Sequence, residues 1–223
     1  MQHAAFYKII EHFKNNNNRR YCSSKKCQTN IEREKMKYLW DNSMAAMRAF
    51  NGILDNCARE NELVSIGNQR VLDGSCTKMR DYFWGQMKDV QYLNNPESIS
   101  LFFEVLPGSN YVYIRVSLDI DDRNDYVRQL DRHNELSKQN FSDDISYVCS
   151  NKGHKDLIIF DKAESARASY ESGFVKKIMP SFYIDYEDKT ETEIINNINK
   201  AVKSLLPFYN TVINKNLGVI IDD

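Results

Sequence analysis

A metal-dependent nuclease needs a carboxylate pair to hold a divalent ion and a lysine to orient or activate water, commonly spaced D…(D/E)-x-K on adjacent strands. Asp161 closes one β-rich run and Glu187-Asp188-Lys189 follows another, so Asp161, Glu187 and Lys189 form a skeletal set that would take magnesium. The same acids stand where a strand ends and a helix is expected to begin. Acidic residues favour helix N-termini, which accounts for them without catalysis. Cys22, Cys27, Cys149 and His154 offer metal ligands, but their spacing is looser than the pairs that grip tetrahedral zinc. The acids Asp119, Asp121, Asp122 and Asp125 lack the glycine and terminal glutamate of a calcium loop, which leaves strand-to-helix capping as their expected role. No Walker loop, G-x-S-x-G, H-E-x-x-H or dinucleotide fingerprint occurs, so these residues support neither a hydrolase nor an ATPase motor. No cofactor is expected, apart from magnesium under the nuclease alternative.

Surface recognition remains. Lys78, Arg80, Tyr82, Trp84 and Lys88 interleave cations with aromatic rings, and Tyr111, Tyr113 and Arg115 share one strand face. Such a mixture neutralises phosphates and stacks on bases. Arg19, Arg20, Lys25 and Lys26 belong to a basic run from Lys14 to Lys37 whose only acids are Glu32 and Glu34. Between Asp185 and Glu193 the balance reverses, with Lys189 the one basic residue. The bland readings are that the aromatics at 82 to 84 belong to the core and that the charge runs are solvated faces. Overall, 30 basic residues against 31 acidic ones give a net charge of −1, which excludes a surface that is a polyanion platform throughout.

The elements that must position these residues are legible from periodicity and caps. Ala4 to Lys14 has apolar groups at helical spacing, and the asparagine run from Asn15 to Asn18 stops it. Thr29 with Glu32 forms a capping box that opens a long amphipathic helix through Leu39, Met47, Phe50 and Leu54. The pattern predicts another helix from Ser75 to Val90, carrying Tyr82, Phe83, Trp84 and Met87. Ile99 to Leu106 and Tyr111 to Ile120 read as a hairpin across Pro107-Gly108-Ser109-Asn110, with Val112, Ile114, Val116 and Leu118 on an apolar face and Arg115 and Ser117 on a wet or functional one. A helix is expected from Arg123 to Lys138, short strands at Ile145 to Cys149 and Leu157 to Phe160, and a helix from Ala163. Phe174 to Tyr186 reads as a strand interrupted at Pro180, and Thr190 to Ile213 as a helix kinked or split at Pro207.

The class is therefore α+β: a mixed β-sheet packed by helices, with a long N-terminal helix and a closing C-terminal helix. At 223 residues, 42% hydrophobic and 12% aromatic, one domain is expected, residues 1–62 being a helical extension and 63–223 the sheet domain. Leu217 to Asp223 reads as an edge strand or as the start of further chain. The N-terminus has no secretory pattern and no run of eighteen apolar residues occurs, so a cytoplasmic protein with no membrane partner is expected. Five scattered cysteines predict free thiols.

The order Pro96 to Glu104, the strand Tyr111 to Asp119, then Gly173 to Lys177 and a helix reaching Leu205 to Tyr209 resembles the N-terminal recognition domain of McrB-like, modification-dependent restriction proteins. The resemblance implies a sheet flanked by helices that binds double-stranded DNA, plain or base-modified, in an antiviral restriction system, attached to a GTP-driven motor and served by a separate nuclease subunit. Under it, Tyr82 and Trp84 would stack on a base, and Arg19, Arg20, Lys25, Lys26, Lys78, Arg80 and Arg115 would meet phosphates. The chain would then bind without catalysing. The alternatives are the magnesium nuclease above and a protein-interaction domain using the acidic C-terminal face.

Overall fold

Thr29 caps the longest helix: its hydroxyl accepts from the Glu32 N–H at 3.1 Å, and the Glu32 carboxylate accepts from the Gln28 N–H at 2.8 Å. The computed structural model, which describes residues 5–67, 70–73, 78–105, 111–121, 126–151 and 157–216, runs this helix, α2, over Asn30–Glu60 after α1 at Ala5–Asn16. Asn18 takes a left-handed φ of 56°, so the asparagine run does end α1. The strands are β1 (Val64–Ile66), β2 (Tyr82–Lys88), β3 (Glu97–Val105), β4 (Val112–Ile120), β5 (Ser146–Ser150), β6 (Leu157–Phe160) and β7 (Lys177–Tyr183). Between them lie α3 (Tyr126–Ser137) and α4 (Ala163–Glu171), and α5 (Glu191–Asn216) closes the described chain.

The seven strands form one sheet in the order β1-β2-β3-β4-β7-β5-β6. Its pairings are antiparallel throughout, so the α+β class holds and the sheet is not a mixed one. The expected hairpin is present, with Val105 opposite Val112. Its turn, Pro107 to Asn110, lies outside the described residues, as do the apolar end from Leu217 and His154. Pro180 does not interrupt β7, where it faces Tyr147 of β5; on the β4 side pairing stops at Ser181, so the proline sits beside an unpaired flank. Pro207 does not split α5. Thr190 and Glu193 cap that helix reciprocally: the Thr190 N–H donates to Glu193 at 2.7 Å and the Glu193 N–H to the Thr190 hydroxyl at 3.3 Å.

Over the described residues 78–90 the helix expected from Ser75 to Val90 is not formed, and Tyr82–Lys88 is the strand β2. Period two then governs the aromatics, with Phe83 and Met87 on one face and Tyr82, Trp84, Gln86 and Lys88 on the other. The first face joins Ile99, Leu101, Phe103, Val112, Ile114, Val116 and Leu118 in the main core. Helices α1 and α2 cover it directly, since Phe6 and Phe50 both meet Phe103 with ring centroids 5.7 Å apart. Side chains of both α1 and α2 thus belong to this core. Gly85 permits the approach of α2: a Cβ there would lie 2.4 Å from Leu54 Cδ2 and 3.3 Å from the Ile66 carbonyl. Gly85→Ala is expected to cost about 1–3 kcal/mol through overpacking, read as a lowered urea midpoint with unchanged slope. Among the described residues, no helix is long and apolar enough to cross a membrane.

Candidate nucleic-acid interface

The linker after α1 folds back on the segment that leads into β2. The Asn18 N–H donates to the Met79 carbonyl at 3.1 Å, and the Met79 N–H donates to the Arg19 carbonyl at 2.9 Å. Arg20 and Lys78 are consequently bridged in antiparallel fashion. Two charge runs almost sixty residues apart in sequence thereby meet at one corner, where Arg19, Arg20 and Lys78 are all exposed. Lys25 and Lys26, also exposed, lie on the short 3-10 turn Ser24–Lys26 of the same linker, which buried Cys27 anchors.

Arg80 continues this corner toward the sheet. Its Nε donates to the Leu72 carbonyl at 3.0 Å, and its guanidinium lies 5.3 Å from the centre of the Tyr82 ring. Tyr82 and Trp84 are half-buried on the sheet face turned away from the main core. Cross-strand register sets the neighbours of each: Tyr82, Glu104 and Tyr113 form one row, and Trp84, Phe102, Arg115 and Tyr183 the next.

This second face is not wet, contrary to the expectation for Arg115 and Ser117. Arg115 is 0% exposed. Its Nε donates to Glu104 at 2.6 Å, its Nη1 to the Ser117 hydroxyl at 2.6 Å, and its guanidinium sits 3.6 Å from the Phe102 ring centre. Ser117 and Ser181 share a hydrogen bond of 2.7 Å, and Asp119 is ion-paired with Lys177 at 2.5 Å. Arg115 therefore serves a buried polar layer, and the phosphate-contacting role expected of it is not available. The amide nitrogen of Gln86 and the Tyr183 hydroxyl are buried there without a hydrogen-bond partner among the described residues, and burial pushes the Tyr183 phenol up to about 12. Periodicity leaves this layer wet or functional, and nothing local in the sequence says that Glu104 and Ser181 complete it.

The nuclease set is not assembled. Asp161 follows β6, and β5 separates that outer strand from β7. Glu187 lies in a turn beyond β7, and the Lys189 ammonium is paired with Asp185. The required adjacency of strands is thus not met. Lys189 also draws Asp185 below the usual carboxylate range. The acidic segment is used in local structure: Glu193 caps α5, and Glu191 accepts from the Phe6 N–H at 3.2 Å. Asp119 of the other acidic cluster is spent on Lys177. Cys149 is buried in β5 with its thiol pushed up to about 12 by burial. Among the described residues, no group of three or more His, Cys, Asp or Glu side chains is placed to hold a metal ion.

Neither a protein-family model nor a curated protein matches the chain.

Proposed function

We propose that this chain is a DNA-recognition module, non-catalytic by itself, that holds double-stranded DNA on the corner formed by Arg19, Arg20, Lys78 and the neighbouring Lys25 and Lys26. The observation that carries the reading is the Arg20–Lys78 bridge, which gathers exposed cations beside the Arg80–Tyr82 pair. Exposed cations replace condensed counterions on the DNA backbone, and half-buried rings beside them offer a surface on which a base can stack. Tyr82 and Trp84 are the rings in that position. The setting is the one the McrB-like resemblance implies, a cytoplasmic antiviral restriction system with a motor and a nuclease subunit as partners and base-modified DNA as the preferred ligand. With a net charge of −1, attraction to DNA is local to this corner and therefore steeply dependent on salt.

The double variant Arg20→Glu with Lys78→Glu tests the reading. Both side chains are exposed, so the fold should be untouched. The expected result is a loss of at least about tenfold in duplex affinity at low salt, and a reduction of about two in the slope of log affinity against log salt. An unchanged affinity and slope, with circular dichroism also unchanged, would remove this corner from the interface.

A further inference from the structure

We propose that the cleft between α1 and α2 is a binding site for a free nucleoside monophosphate. The cleft has a volume of about 500 Å³, within the range of small-molecule sites, and its walls come from about two turns of each helix and the linker that follows α1. At its base lies His12, only 2% exposed, with its ring stacked on Phe83 at 5.4 Å between centroids and 2° between planes. Among the described residues, neither ring nitrogen of His12 has a hydrogen-bond partner. A buried polar group left in this state is costly, and native structures seldom keep one without a use.

Apart from Asn16, the other polar side chains of the cleft are partly or fully exposed. Asn15, Asn16 and Asn42 line it with Lys8 and Arg19, and none of these side chains makes a hydrogen bond or ion pair with a described residue. Asn16 is itself buried. A carboxamide supplies both donors and an acceptor, and a neutral imidazole supplies one of each. Burial holds the His12 imidazole neutral at physiological pH, its pKa lowered to about 4. Amides and a neutral imidazole together match the alternating donors and acceptors on the edge of a heteroaromatic base. Lys8 and Arg19 supply two positive charges against the single carboxylate of Glu11, which suits a phosphate monoester. Tyr38, 70% exposed on the cleft wall, provides a ring for stacking. The charge balance disfavours a neutral nucleoside, and the number of amides exceeds what inorganic phosphate would use.

This inference stands apart from the DNA reading, with which it shares only Arg19. Isothermal titration calorimetry of the full chain with adenosine, guanosine, cytidine and uridine monophosphates, the matching nucleosides and inorganic phosphate tests it. At least one monophosphate is expected to bind at one site per chain, more tightly than its nucleoside and than phosphate. Lys8→Ala and His12→Phe are each expected to weaken that binding by about tenfold or more. His12→Phe keeps the stacked ring on Phe83 and removes both unpartnered nitrogens, so its thermal midpoint should not fall. Duplex DNA affinity, measured in parallel, should be retained by both variants because neither residue belongs to the basic corner. No heat with any monophosphate, an affinity unchanged in both variants, or phosphate binding as tightly as the nucleotide would overturn the proposal.

Discussion

Glu104→Ala is expected to lower the stability of the fold by about 3–5 kcal/mol, because it strands the Arg115 guanidinium as an uncompensated charge inside the sheet. Arg115 has no exposed surface and donates its two shortest hydrogen bonds to Glu104 and Ser117, both at 2.6 Å. The Ser117 hydroxyl is neutral and cannot replace the carboxylate, and the Phe102 ring contributes only a face for the cation. Urea unfolding read by tryptophan fluorescence measures the effect, Trp84 of β2 lying in the row of Arg115 with Phe102 between them. The double variant Glu104→Leu with Arg115→Met should recover most of the loss, since replacing both partners of a buried pair by apolar groups of similar volume is often neutral. Duplex DNA affinity should be unaltered in the double variant, which separates this structural arginine from the exposed ones. A cost below about 1 kcal/mol for Glu104→Ala would mean that the pair is solvated.

Acid should destabilise the protein through two buried histidines. Burial lowers the pKa of His12 from 6.5 to about 4 and that of His133 to about 3. His133 is also lowered by Lys177 and raised by Asp119. Between these values and 6.5 the unfolded chain binds more protons than the folded one, so stability falls as pH falls through that window. At pH 4.5 the two sites together should remove on the order of 5 kcal/mol relative to pH 7. Urea midpoints at the two pH values give the difference. His12→Phe should abolish roughly half of it, because phenylalanine leaves nothing to protonate at the stack on Phe83. Equal pH dependence in the variant and the parent would show that His12 is already solvated in the native state.

The fold was largely readable where the signal is local. Thr29 and Glu32 announced α2, the β-branched runs announced β3 and β4, and Leu157 to Phe160 is a strand with those bounds. The Thr190 and Glu193 box has the same spacing as the first and marks the start of α5. What misled was β2. Tyr82, Phe83, Trp84 and Met87 satisfy helical spacing, and the period-two face that would have revealed a strand is broken at Gly85, which is small because Leu54 of α2 occupies the space. The buried polar layer was misjudged for a different reason. Arg115 and Ser117 look solvated on their own strand, and their partners are reached only through register, Glu104 across the hairpin and Ser181 from a strand 64 residues away.

The candidate site was visible as pieces. Arg19 and Arg20 appeared in one basic run and Lys78 in another, and no property of either run says that a backbone bridge joins them. The cleft beside them was invisible, because its asparagines and His12 sit at unremarkable positions on two helices whose packing alone makes them neighbours.

Fluorescence anisotropy of a labelled duplex, plain and base-methylated, at low and physiological salt and with and without magnesium, tests the central claim most directly. The expected result is binding at low salt that weakens steeply as salt rises, tighter for one modified duplex, with the DNA intact after incubation with magnesium. Absence of binding to every duplex and single strand at low salt would contradict it.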